Sequence, residues 1–195
     1  MTQAPPRHRR STRLRDYDYT TSGAYFLTVV TQGRAPILGQ VIDGEIHVNA
    51  LGDIVQREWR RSQDLRPEIE LAEFVVMPNH LHGVVLLRDD VPSALLTSTP
   101  SQTGLGRPPR SISSFVAGFK ATTTRLINDT RSSSGTKVWQ RNYHDRVIRN
   151  EREYDAIRKY IVDNPLNWAE DPENPNDRTT AGAQPCAPTT PTNRY

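Results

Sequence analysis

The chain has 195 residues, 35% of them hydrophobic, with a net charge of +3, 15 prolines and one cysteine. That length suits a single domain with a real core, and no apolar run approaches the roughly 20 residues of a membrane-spanning helix. Cys186 alone, in a proline-rich stretch, excludes a disulfide framework and a cysteine-based zinc site, so a soluble, intracellular, cytosolic protein is expected.

Residues 1–16 read as a basic N-terminal arm. Arg7, Arg9, Arg10, Arg13 and Arg15 fall within the first fifteen residues, where there is no acid, and no apolar segment follows to make a secretory signal. Such an arm favours a polyanion through phosphate contacts that do not read sequence. AYFLTVVT (24–31) is β-branched and aromatic and predicts a strand. GQVIDGEIHVN (39–49) places Asp43-Gly44 between two short apolar runs, a hairpin signal. ALGDIVQREWRRSQDL (50–65) changes period, with Leu51, Ile54, Val55 and Trp59 on one helical stripe, Asn49 as N-cap and Pro67 beyond the end.

EIELAEFVVM (68–77) and HLHGVVLL (80–87) predict two strands around the Pro78-Asn79 turn. Residues 91–110, rich in Pro, Ser, Thr and Gly, predict a mobile connection. SISSFVAGFKATTTRLIN (111–128) returns to helical spacing, and VWQRNYHDRVIR (138–149) predicts a loop entering a strand. NEREYDAIRKYIVDN (150–164) predicts a helix opened by an Asn150/Glu153 capping box and stopped by Pro165, which disfavours the α conformation at Asn164. Residues 17–168 then form the domain, and 169–195, nearly devoid of bulky apolar residues, predict a disordered proline-rich tail. Strands joined by short turns cannot be parallel neighbours, so the fold class is α+β, a mainly antiparallel sheet with helices packed on it. Val84, Val85, Leu86 and Leu87 are apolar on both strand faces, which makes the histidine strand central.

Side chains alternate along a strand, so His80 and His82 project from one face, about 7 Å apart, and can converge on one ion. Two ligands are too few for a tight site, and spacing alone leaves the plainer reading open, two satisfied or surface histidines. His8, His47 and His144 give no second close pair. The last helix offers Tyr160 and Asn164, four residues apart on one face. An amide oxygen is a fair ligand for a hard metal, and a tyrosine hydroxyl beside a metal-bound phosphate is a nucleophile. Tyr154, six residues before Tyr160, lies about 120° round the helix and fits packing with Ile157 and Ile161.

RHRRSTRL, DYDYTTSGAYFLTVVTQ, ELAEFVVMPNHLHGVV, SSFVAGFK, VWQRNYHDRVIRNEREY and IRKYIVDNPLNW, in this order across residues 7 to 168, resemble the HUH-endonuclease single-tyrosine transposases of the insertion-sequence-200-like type. Within that type the chain looks most similar to the branch of REP-associated tyrosine transposases. The resemblance implies an RRM-like (ferredoxin-like) sheet with His80-Leu81-His82 on a central strand. It implies that His80, His82 and Asn164 bind Mg²⁺ or Mn²⁺, and that Tyr160 is the catalytic residue. The implied reaction cleaves single-stranded DNA beside a hairpin, leaves a 5′-phosphotyrosine and a free 3′-OH, and joins strands by reversal. Some branches act as monomers, and others are homodimers that exchange the tyrosine helix.

Within that resemblance Lys120, Arg125, Arg158 and Lys159 are candidates for backbone phosphates, and the N-terminal arginines for the hairpin stem. The expected setting is the cytoplasm, on nucleoid DNA and away from membranes. Two other classes compete: a non-catalytic DNA- or RNA-binding module of the same fold, and a metal-dependent hydrolase whose nucleophile is water.

Overall fold

The computed structural model describes residues 18, 20–91 and 110–175. The arginine arm, the 92–109 part of the expected connection and residues 176–195 lie outside the described residues. Strand β1 (Gly23–Val30) leads through a 3-10 turn at Gln32–Arg34 to the β2 (Gly39–Ile42) and β3 (Glu45–Val48) hairpin and helix α1 (Ala50–Leu65). There follow β4 (Ile69–Val76), β5 (His80–Leu87), α2 (Ile112–Thr130), β6 (His144–Ile148) and α3 (Glu151–Asp163). Strands β4, β5, β1 and β6 make one sheet in that order, every neighbouring pair antiparallel. With the separate β2–β3 hairpin set aside, the order is that of the expected RRM-like α+β fold, and β5 is a central strand.

Local chemistry accounts for the elements. The hairpin turns at Asp43 (φ 51°) and Gly44 (φ 80°), the two positive φ values that a two-residue turn between twisted strands requires. The Asn49 side chain accepts from Leu51 N and Gly52 N to start α1, and Ser111 and Ser114 cap α2 reciprocally. At α3 the Asn150 side chain accepts from Glu153 N at 2.9 Å. Glu153, however, takes the N–H of Arg149, one residue before the cap, and pairs with Arg146. The expected capping box is therefore half-formed, because a basic neighbour on β6 draws the carboxylate aside.

Strand alternation divides the sheet into two faces. Tyr25, Leu27, Val29, Leu81 and Val85 meet Trp59 of α1 and Phe115 and Phe119 of α2 in the main core. Fully burying such side chains stabilises the fold by about 1.5–3 kcal/mol each. Gly83 permits this: a Cβ there would stand 2.5 Å from Trp59 Cζ2, so only glycine lets the indole lie against β5. Phe26, Val84 and Ile148 face the other way, toward Ile157 and Ile161 of α3. His80 and His82 share that second face with Val84. Among the described residues no helix is long and apolar enough to cross a membrane.

The expected tail boundary at 169 is not where packing ends. A 3-10 turn spans Trp168–Glu170, and Asp171, Glu173 and Asn174 are buried. This strap is held by polar contacts rather than by bulky apolar side chains, which is why its composition resembles that of a loose tail.

Candidate active site

His80 opens β5 immediately after the Pro78-Asn79 turn, and His82 follows on the same face. Their registered neighbours on β1 are Val30 and Thr28. His82 Nδ1 lies 2.9 Å from the Thr28 hydroxyl, and His80 Nδ1 lies 2.8 Å from Asn79 Oδ1. With both Nδ1 atoms engaged, the Nε2 atoms are left for other work. The rings stand 4.3 Å apart between centroids, with Phe26 stacked on His82 and Trp168 of the strap 6.0 Å from His80.

Burial sets the charge state. Removal from water lowers the His80 pKa to about 3, with the Arg34 charge adding to the effect and the neighbouring Asn164 side chain opposing it. His82 is held well below its ordinary value, first by burial and then by the nearby His80, with Asp171 opposing. Both imidazoles are therefore neutral at pH 7, the form that donates a lone pair to a metal.

Helix α3 brings Tyr160 and Asn164 to the same place. The Tyr160 hydroxyl is 3.3 Å from His82 Nε2, and the ring meets Phe26 edge-on at 6.0 Å. Asn164 keeps α geometry (φ −57°, ψ −41°) despite Pro165. The chain is held there because Asn164 Nδ2 donates to Asp171 Oδ2 at 2.9 Å. The opposite end of that amide is the informative one. Asn164 Oδ1 and His80 Nε2 are both buried acceptors with no hydrogen-bond partner. Two lone-pair atoms left unsatisfied in a buried site suit a cation and cost free energy without one.

Asp171 completes the group. It is 4% exposed, beside His80 at 0%, His82 at 1% and Asn164 at 2%. The ligand atoms of His80, His82 and Asp171 lie within 4.8 Å of one another, so the three can hold a divalent ion. An ion with bonds of about 2.1 Å needs its ligands about 3–4 Å apart, which small side-chain adjustments reach. The sequence reading missed Asp171, along with Thr28, Asn79 and Arg34, which support the histidines. The signal for Asp171 was its place three residues after Trp168.

The four cations expected to meet phosphates are engaged within the chain. Lys120 donates to the carbonyls of Gln140 and Asn142, and Arg125 pairs with Asp129. Arg158 pairs with Glu73 at 2.8 Å and Lys159 with Asp163 at 2.7 Å. Arg125, Arg158 and Lys159 are exposed, and exposed pairs of this kind are worth little. Arg7, Arg9, Arg10, Arg13 and Arg15 lie outside the described residues. Tyr154 is half-buried and donates to Glu73 at 2.9 Å, a packing role as expected. A shallow cavity of about 400 Å³, lined by Lys120, Lys137, Trp139 and Arg141, lies on the α2 side, away from the histidine face.

No protein-family model matches the chain. An uncharacterized protein of Haemophilus influenzae is 35% identical over 170 residues, covering 84% of this chain and 92% of that one. Among solved structures, a REP-associated tyrosine transposase bound to a REP hairpin aligns with a TM-score of 0.54 and 20% identity, over 82% of this chain and 77% of that one. The chain thus belongs to one family with the Haemophilus influenzae protein, and it is built on the fold of the HUH single-tyrosine transposases.

Proposed function

We propose that the protein is a metal-dependent transposase-type enzyme that cuts and rejoins single-stranded DNA beside a hairpin, with Tyr160 as nucleophile. The observation that carries this reading is the Tyr160 hydroxyl 3.3 Å from His82 Nε2. That nitrogen belongs to the candidate metal group, so a phosphate drawn to the group comes within reach of the phenol. Binding alone requires no such juxtaposition.

His80, His82, Asn164 and Asp171 would hold the ion, and this nitrogen-and-oxygen set suits Mg²⁺ or Mn²⁺. Bound there, the ion would neutralise charge developing on the scissile phosphate. The chain's residues do the rest. Phe26 and His82 fix the Tyr160 ring, and the surrounding burial limits access of water as a competing nucleophile. Free tyrosine titrates near pH 10, so only about one in a thousand is ionised at pH 7. The phenol loses its proton as its oxygen bonds phosphorus, the P–O3′ bond breaks, and the departing 3′-oxygen takes up a proton. The new phosphodiester preserves the bond energy, so attack by a 3′-OH reverses the step.

The Tyr160 hydroxyl near His82 of its own chain supports a site completed within one copy, and a homodimer that exchanges the tyrosine helix is the other reading. The arm of residues 1–16 would grip the hairpin stem, 17–175 would form the catalytic unit, and the protein would act on nucleoid DNA in the cytoplasm. The test is a denaturing gel of the protein incubated with Mn²⁺ and labelled single-stranded DNA carrying a hairpin. A covalent band that is lost with EDTA and in Tyr160→Phe is the expected result. Binding without cleavage would make the chain a DNA-binding module, and cleavage without a covalent band would make water the nucleophile.

A further inference from the structure

Asn79 is fully buried, and its side chain makes three contacts. Nδ2 donates to the Arg34 carbonyl at 3.1 Å and to the Glu173 carbonyl at 2.6 Å, while Oδ1 faces His80 Nδ1 at 2.8 Å. Two carbonyl acceptors settle which end of the amide is which. Turning it over would set Oδ1 against two carbonyl oxygens and leave both N–H groups facing an imidazole that can accept one. Oδ1 can only accept, so His80 Nδ1 must carry the proton and Nε2 the lone pair. Nε2 is a buried atom without a hydrogen-bond partner, and the Asn164 side chain is its neighbour.

One of the two carbonyls belongs to the strap. Glu173 also pairs with Arg34 at 3.0 Å, Arg34 Nη1 donates to the Pro172 carbonyl, and Asp171 Oδ1 accepts from Glu173 N at 2.7 Å. The same few residues therefore present a carboxylate to the metal group and hold the amide that orients its first histidine. We infer that Asn79 is a positioning residue that locks His80 in its Nδ1–H tautomer and makes metal binding and docking of the 171–174 strap one coupled event. The inference rests on the metal reading of the site but not on any DNA chemistry.

The experiment uses the full chain labelled with ¹⁵N-histidine. Long-range proton–nitrogen spectra of the metal-free protein, assigned by loss of the signal in His80→Gln, report the tautomer directly. Titration with Mn²⁺, followed by loss of the free-ion paramagnetic resonance signal, reports affinity. Wild type is expected to show His80 protonated on Nδ1. Asn79→Leu is expected to show mixed tautomers and about 10–100-fold weaker Mn²⁺ binding, the usual effect of losing an outer partner of a ligating histidine. Asn79→Asp keeps an acceptor toward Nδ1 but sets a second oxygen against the Arg34 and Glu173 carbonyls. It should preserve the tautomer yet still weaken Mn²⁺ binding through the strap, and it is the variant to use if Asn79→Leu does not melt cooperatively. Wild-type His80 protonated on Nε2 would overturn the inference. So would an Asn79→Asp protein whose Mn²⁺ affinity equals that of wild type. If wild type shows the Nδ1–H tautomer but binds no Mn²⁺, the metal reading itself fails, and the coupling with it.

Discussion

At the scale of single residues, the site makes two demands that substitutions separate. His80 and His82 must stay neutral in the folded chain, whereas unfolded histidine takes a proton near pH 6.5. Since the folded pKa is depressed, the unfolded state binds more protons between pH 6.5 and about 3, and stability falls as pH is lowered through that window. One such histidine contributes a slope of about 1.4 kcal/mol per pH unit. Urea unfolding of metal-free protein between pH 6.5 and 4.5 should show this slope, reduced in His80→Gln by about that amount. An unchanged slope would mean that His80 is not held neutral. The second demand concerns ligands. Asp171→Ala and Asn164→Ala should each weaken Mn²⁺ binding at least about tenfold in a calorimetric titration, while Asp163→Ala, which removes only the partner of exposed Lys159, should not.

At the scale of elements, legibility follows the forces that hold each one. Helix α1 and strand β5 begin and end where the sequence placed them, because apolar periodicity, an Asn49 cap and the Pro78-Asn79 turn are local signals. The pairing of Tyr160 with the histidines was legible only through resemblance, since it joins residues 78 positions apart. The strap was not legible. Asp171, Glu173 and Asn174 are buried through contacts with Asn164, Arg34, Asn79 and Trp168 that have no sequence period, and a count of bulky apolar residues cannot see them. Asn164 makes the same point: the Pro165 rule disfavours its helical geometry, and the bond to Asp171 supports that geometry. Gly83 shows a tertiary demand hidden in a motif. Gly83→Ala forces Trp59 off β5 and should cost about 1–3 kcal/mol in chemical denaturation. Full stability in that variant would contradict the packing described for the main core.

At the scale of the whole molecule, the sheet separates tasks. One face is sealed by α1 and α2 around Trp59, which frees the other to carry polar, titratable groups under α3. The fold itself follows from the antiparallel order of four strands and does not require catalysis. The candidate site forms where β5, α3 and the strap bring His80, His82, Tyr160, Asn164 and Asp171 together. The arm belongs to this scale too. Removing residues 1–16 should weaken binding to a DNA hairpin and flatten its dependence on salt, as fluorescence anisotropy between 50 and 300 mM salt would show, because each lost phosphate contact lowers the slope by roughly 0.7–0.9. An unaltered slope would leave DNA affinity to the domain alone.

The proposed function turns on attack by Tyr160 on a phosphate held at the histidine group. The most direct measurement is peptide mapping by mass spectrometry after incubation with Mn²⁺ and hairpin-bearing single-stranded DNA, followed by nuclease trimming. The expected result is a nucleotide phosphodiester on the peptide containing KYIVDNP, localised by fragmentation to Tyr160. A nucleotide carried by Tyr154 or any other residue, or a cleaved strand with no modified peptide, would contradict it.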